Sequence, residues 1–269
     1  MRNDVVLIPP DAEPIEAGWA KTHSRIITSL DDDIIRDQYL SSAREQVEND
    51  TGRLFVKQTR KLYLDGFPNV IYFPHNPVRS VVSITYLDQD EVEQTFALSN
   101  VLQDQSGEFF RITLDDDSSW PITEDAPGAV RITYRAGYAA PVTVNSSTDV
   151  LTSPEHDLEN GDSVRIVTRG GTLPAGIQGA SYFVINKTDD TFQISATSGG
   201  SAFSFSDTGS SVLVVGSQAF PFFNRMCQAQ LLLFGHYYES REAVVDGTIS
   251  TEVKMGYNSI VNSLSRSLF

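Results

Sequence analysis

A chain of 269 residues exceeds the size at which a single hydrophobic core usually stops growing, roughly 250 residues, so two domains are expected. Thirty-five acidic against twenty basic residues give a net charge of −15 at neutral pH, which argues against a sequence-independent nucleic-acid-binding face and against an anionic membrane partner. The single Cys227 excludes an internal disulfide and a cysteine pair for a metal.

At the N-terminus, "MRNDVVLIPPDAEP" holds an apolar run of only four residues before two prolines, too short for the core of a signal peptide. No apolar segment reaches bilayer-spanning length, and a soluble protein is expected. The first predicted helix is Pro14 to Thr22, with acids early and Lys21 late, as the helix dipole favours. A second helix is predicted across "SLDDDIIRDQYLSSAREQVENDTGR". Ser29 or Asp31 offers a cap, Ile35, Tyr39, Ala43 and Val47 recur on one face, and Gly52 offers a stop.

Beyond Gly52 the period becomes that of a strand. Val56 to Leu64 alternates apolar and polar side chains and turns at "DGFP". Further strands are predicted at Val81 to Leu87, Thr95 to Leu98, Phe109 to Leu114 and Ala129 to Tyr134, as one sheet with one covered face. From Asp88 through Asp125 eleven acids face the single Arg111, a local balance of −10. Solvated loops explain such a segment simply; an interface or channel wall repeated by symmetry would turn it into a strong negative field.

Composition changes again near Pro141. Between Val142 and Gly216 short apolar runs, "SVRIV", "SYFVI", "TFQI" and "SVLVV", are separated by Ser, Thr, Asp and Gly, the pattern of a compact antiparallel β module. A helix is then predicted from Phe222 to Ala243, with Phe223, Cys227, Gln230, Phe234, Tyr237 and Tyr238 on its packed face and Gly235 explained by a close helix contact. The final "GYNSIVNSLSRSLF" reads as a short helix or as a tail that orders on binding.

No chemistry emerges from the motifs. His23, His75, His156 and His236 do not fall in a zinc-protease pattern, and His156 beside Asp157 fits a polar turn. Asp31 to Asp33 suit a helix start, Asp115 to Asp117 lack calcium-loop spacing, and Asp189 with Asp190 fits a hairpin turn. "TRGGTLPAGIQG" has neither the phosphate-loop lysine nor dinucleotide spacing, no serine sits in a nucleophile elbow, and Cys227 lies in an apolar run. No catalytic, cofactor-binding or metal residue is assigned, no cofactor is expected, and the chain is read as a non-enzyme.

Several pieces in order, "DDDIIRDQYLSSAREQVENDTGRLF", "RKLYLDGFP", "NPVRSVVSITYLDQD", "WPITEDAPGAVRITYRAGY" and "MCQAQLLLFGHYYESRE", resemble the head-tail connector (adaptor) proteins of long-tailed bacteriophages. The likeness covers Ile15 to Tyr138 and Pro221 to about Val245. On it, Ile35, Tyr39, Ala43 and Val47 match the inner face of the long N-terminal helix, Thr51 to Arg53 its end, and Tyr238 to Glu242 the end of the C-terminal helix. The middle module resembles small β domains of phage structural proteins through His156, Leu158, Gly161, Asp162, Leu173, Pro174, Gly176, Tyr182, Phe183, Val184, Thr191 and Phe192.

The resemblance implies an α+β fold in three parts: an adaptor core over 1–141, an inserted all-β module over 142–216, and the core's C-terminal helix and tail over 217–269. It implies a homo-oligomeric ring in the virion neck, assembled in the host cytoplasm, with the portal protein and a downstream neck, stopper or tail protein as partners. Genome DNA would pass through the ring without sequence-specific binding, and no membrane is involved. The acidic segment would face the channel, and a tail bearing Leu264, Arg266, Leu268 and Phe269 would dock on the portal. A tail-completion or stopper subunit is the alternative of the same class; a surface receptor or glycan-binding module on the β insertion is the alternative of another.

Overall fold

Strand periodicity builds one unit of the chain, and helical stretches together with a second set of strands build the other. The computed structural model describes residues 3–106, 109–240 and 251–265. One unit comprises Met1–Asp11 with Gly52–Gly137, the other Ala12–Thr51 with Tyr138–Phe269. The architecture is mixed α+β, with antiparallel sheets, a closed six-stranded barrel and helices that include the C-terminal region.

The first unit holds β1 (Asn3–Ile8), β2 (Gln58–Leu64), β3 (Val70–Tyr72), β4 (Val78–Leu87), β5 (Glu93–Phe96), β6 (Val101–Asp104), β7 (Arg111–Leu114) and β8 (Val130–Ala136). They form a five-stranded sheet in the order β1-β2-β8-β4-β5 and a three-stranded sheet β3-β7-β6, all antiparallel. The predicted alternation is clear in β2 and β8, but the expected single sheet is divided, since β7 lies in the three-stranded one. In β2 the buried positions are Gln58, Arg60, Leu62 and Leu64, and in β8 they are Val130, Ile132, Tyr134 and Ala136. Register places Leu62 opposite Ile132 and Arg60 opposite Tyr134, so an apolar stripe and a polar patch share one face.

Leu62, Ile132, Ile84, Ile71, Phe73 and Ile112 belong to one buried cluster, and each large apolar side chain buried there stabilises by roughly 1.5–3 kcal/mol before ordering costs. Trp120, Phe67 and Phe96 are packed against that cluster, with Phe67 stacked on Trp120 at 4.5 Å. The corner around Pro74 and Pro77 precedes β4 as expected; there Leu54 N donates to Asn76 O and Asn76 N to Gly52 O. Gly137 ends β8 with φ +138°, where a Cβ would lie 2.5 Å from the Val56 carbonyl. β1, β3 and β6 were not expected from sequence, because β1 lacks alternation and β3 and β6 span only three and four residues.

The second unit begins with α1 (Ala17–His23), α2 (Asp32–Ile34), a π-wound turn (Ile35–Leu40) and α3 (Ser41–Thr51). α1 begins three residues later than expected. Neither Ser29 nor Asp31 caps α2, since no side-chain cap bond forms. Ile35, Ala43 and Val47 are buried as expected, but Tyr39 is only half-buried and Leu40 takes the inward place. The physical cause is the π turn: its wider winding adds a residue between inward positions, turning the face from Tyr39 to Leu40. α3 stops at Thr51, and Gly52 takes the left-handed φ of +64° that suits a helix stop.

The barrel follows, built from β9 (Ala139–Asn145), β10 (Val150–Thr152), β11 (Ser163–Val167), β12 (Tyr182–Ile185), β13 (Thr191–Ser195) and β14 (Val212–Gly216). Its order is β10-β13-β12-β11-β14-β9, closed by antiparallel pairing of β9 with β10. Closure removes the unpaired strand edges. Val164, Ile166, Val184, Phe192, Ile194 and Val214 fill the interior. α4 (Phe220–Glu239) and α5 (Thr251–Leu264) complete the unit. α4 buries Phe223, Cys227, Gln230 and Phe234 as expected, together with Met226, Ala229 and Leu231, while Tyr237 and Tyr238 are half-buried. It ends at Glu239, with Ser240 already out of helical geometry, short of the expected end at Ala243; residues 241–243 lie outside those described. Gly235 answers no tight contact, since an added Cβ would meet Ser24 Oγ at an ordinary 3.6 Å.

Candidate assembly surfaces

The sites singled out by chemistry-bearing residue types do not converge. Among the described residues no group of three or more His, Cys, Asp or Glu is placed to hold a metal, and no helix is long and apolar enough to cross a membrane. His23 and His236 are exposed. His156 is buried rather than in a solvated turn: its Nδ1 accepts from Leu158 N at 2.9 Å, its Nε2 lies 3.3 Å from Thr191 O, and its ring meets Phe192 edge-on. Burial pushes the Cys227 thiol up to about 12, against the opposing influence of Arg169, which makes it a packing residue at neutral pH.

The aspartate trios resolve into ordinary pairings. Asp31 accepts from Tyr238 OH at 2.9 Å, Asp32 pairs with Lys21 at 2.5 Å, and Asp33 with Arg36 at 2.9 Å. Asp115 turns the chain, its side chain accepting from Asp116 N. Asp190 accepts from Glu155 N beside the β12–β13 hairpin.

Two buried polar networks were not visible in the sequence. In the first unit Asp4 Oδ2 accepts from Arg60 Nε at 2.6 Å and lies 2.9 Å from His75 Nδ1, while Asp4 Oδ1 accepts from Tyr134 OH at 2.9 Å. Burial pushes the Asp4 carboxyl up, yet the bonds and charges of His75 and Arg60 more than offset it and hold it below the usual aspartate range. Burial, with the Asp4 charge beside it, pushes the Tyr134 phenol up. This network fastens β1 to the sheet. In the second unit Arg44 is bound by Glu13 at 3.0 Å and Glu48 at 2.9 Å, tying the segment before α1 to α3. The available signals were Arg60 in register with the inward Leu62 and Leu64, and the i,i+4 spacing of Arg44 and Glu48 beside the buried face.

The acidic segment lies on the edge hairpin of β4 and β5 and on the loops around β6 and β7. Of its described acids only Glu93 and Asp104 have a basic partner, Arg131 and Arg111 respectively. Asp88 is bound by Gln94 Nε2, Val92 N and Asp90 N, which together hold its carboxyl below the usual range. Ser106 and then Arg111 hold that of Asp104 down to about 2. Glu108 lies outside the described residues. Among the described residues this surface therefore stays negative at any pH above the carboxylate range.

In the second unit a cleft of about 490 Å³ opens between the start of α1, the π turn and strands β9 and β14. Ile15, Leu40, Val212 and Leu213 are buried in its lining, with Glu16 and Arg36 also against it. The loop from α1 to α2 projects Ile27 and Leu30, which are 100% and 93% exposed. At the C-terminus Tyr257 OH donates to Asp50 Oδ2 at 2.6 Å. Leu264 is fully buried in its own unit and so is not available to dock on a portal; Arg266, Leu268 and Phe269 lie outside the described residues.

No family model matches the chain, and no curated protein matches it. Its fold is shared with solved chains of gene transfer agent (GTA) particles. A chain of the virion of a native GTA particle matches with a TM-score of 0.55, one of the neck of an empty particle computed with C6 symmetry with 0.54, and one of the neck of a native particle computed with C12 symmetry with 0.51. Each is 15% identical, and each match covers 100% of this chain and 97% of the other. The likeness is one of fold over the full length.

Proposed function

We propose that this chain is a structural, non-enzymatic subunit of the neck of a phage-like particle, a head-tail connector that forms a ring between the portal and the next neck or tail component. The observation that carries this reading is the full-length fold shared with chains of GTA necks computed with C6 and C12 symmetry. A cyclic ring needs many copies joined through unlike surfaces, and function then comes from shape matching and mutual stabilisation. The segments 1–141 and 217–269 act as the connector core, and 142–216 is carried on it as an insertion.

The acidic segment supports the channel role. Its carboxylates are largely unpaired, so repetition around a ring concentrates negative potential where DNA phosphates must pass without sticking. Replacing Asp90, Glu91, Asp115, Asp116 and Asp117 with Asn or Gln is expected to slow DNA passage, read as retained DNA after triggered ejection; unchanged ejection kinetics would remove the channel-wall role.

Deleting the gene and imaging the particles tests the whole reading. Filled or leaking heads without attached tails are expected. Normally tailed particles would overturn it.

A further inference from the structure

The projecting loop and the apolar cleft of the second unit are unlike surfaces of matching character. We infer that the Ile27 and Leu30 side chains of one copy seat in the cleft of the next copy, between Ala12, Ala17 and Pro141 and over the floor made by Ile15, Leu40, Val212 and Leu213, forming the repeated contact of the ring. This inference rests on the ring reading above and adds to it the residues that join the copies.

Three observations support it. The first is the exposure itself. Ile27 and Leu30 stand in water at 100% and 93%, on a loop held in shape by Ile26 N donating to Lys21 O and Leu30 N donating to Thr28 Oγ1. A pre-shaped loop loses little freedom when it docks, and a pair of four-carbon side chains in the open has no stabilising role within its own copy.

The second is the receiving volume. About 490 Å³ accommodates both side chains; Ala12, Ala17 and Pro141 give it a part-exposed apolar wall, over a buried aliphatic floor of Ile15, Leu40, Val212 and Leu213. Loop and cleft are different surfaces, so each copy gives one contact and receives one, the heterologous arrangement from which closed rings are made.

The third is charge. Beside the loop each aspartate is already partnered, Asp31 by Tyr238, Asp32 by Lys21 and Asp33 by Arg36, while exposed Arg25 has no ion pair among the described residues. Beside the cleft Glu13 is bound by Arg44 and Arg36 by Asp33 and Asp37, while Glu16 has no ion pair among the described residues and only accepts from the Ser211 hydroxyl. One unpaired cation thus accompanies the loop and one unpaired anion the cleft. Their pairing sets the register of the contact.

The test is the assembled mass of the purified full chain across concentration, alone and on its portal, with circular dichroism as the control for folding. Ile27→Asp and Leu30→Asp change solvent-exposed side chains, so the fold is retained, and each is expected to raise the concentration needed for half-assembly about tenfold or more. Arg25→Glu and Glu16→Lys are each expected to weaken assembly, and the double exchange to recover it to within about threefold.

If the wild-type chain assembles and the loop variants assemble equally well, the contact is wrong while the ring reading stands. If the loop variants weaken assembly but the double exchange recovers nothing, this cleft is not the seat and the inference fails. If the wild type stays monomeric throughout, the ring reading fails and this contact with it.

Discussion

Replacing Asp4 with Ala removes the acceptor that Arg60, Tyr134 and His75 share. Arg60 would keep its bond to Gln58 Oε1 at 3.1 Å and its contact with the Tyr134 hydroxyl, and that fully buried hydroxyl would lose its carboxylate acceptor. Deleting one partner of a buried ion pair costs about 3–5 kcal/mol. The Arg60 and Asp4 side chains retain 10% and 9% exposure, and Gln58 remains, so the lower end applies: about 3 kcal/mol. Asp4→Asn keeps an acceptor for Tyr134 but loses the charge, at a cost of about 1–2 kcal/mol. Urea unfolding followed by Trp120 fluorescence, in a Trp19→Phe background, reads the first unit, because Trp120 stacks within its aromatic cluster. The backbone amides paired between β1 and β2 should also exchange faster in Asp4→Ala. An Asp4→Ala protein within about 0.5 kcal/mol of its parent would refute the claim that this network fastens β1.

The same carboxyl gives a pH signature. Its folded pKa is depressed, so its contribution is fully present above the unfolded value of about 3.9 and is lost as pH falls through the lower folded value; the stability gap between parent and Asp4→Asn should hold at roughly pH 5 to 7 and narrow below about 4. Tyr257→Phe removes the 2.6 Å bond to Asp50 and is expected to cost about 1–2 kcal/mol, read as faster hydrogen exchange in α5 with the first unit unchanged. Gly137→Ala is expected to cost more than about 2 kcal/mol in thermal or urea unfolding, because its φ is +138° and the new Cβ would meet the Val56 carbonyl at 2.5 Å. Gly18→Ala, where an added Cβ meets nothing within 4 Å, should be neutral or slightly stabilising by the same assay.

Period carried most of what was legible in the sequence. Strands β2 and β8 follow the alternation of Leu62, Leu64, Ile132 and Tyr134, and the helices follow Ile35, Ala43, Val47, Phe223 and Phe234. β3 and β6, of three and four residues, escaped because they are too short for a pattern to stand out, and β1 because its six residues do not alternate. The π turn escaped because its extra residue breaks a period assumed to be constant, which is why Tyr39 was expected where Leu40 lies. The Asp4 network joins residues separated by up to 130 positions, and such a pairing leaves no local trace. The cleft likewise brings Ile15 and Leu40 to Val212 and Leu213, a closeness made by the barrel and invisible to spacing. Ile27 fell between the two predicted helices and Leu30 at the start of the second, and only the structure shows them standing in solvent.

The central claim is that this chain works as a ring subunit at the neck. Light scattering of the purified chain across concentration, alone and mixed with its portal assembly, measures that most directly. A discrete multisubunit species, or a monomer that becomes one on the portal, is the result the account expects. A monomer at every concentration that does not associate with the portal would contradict it.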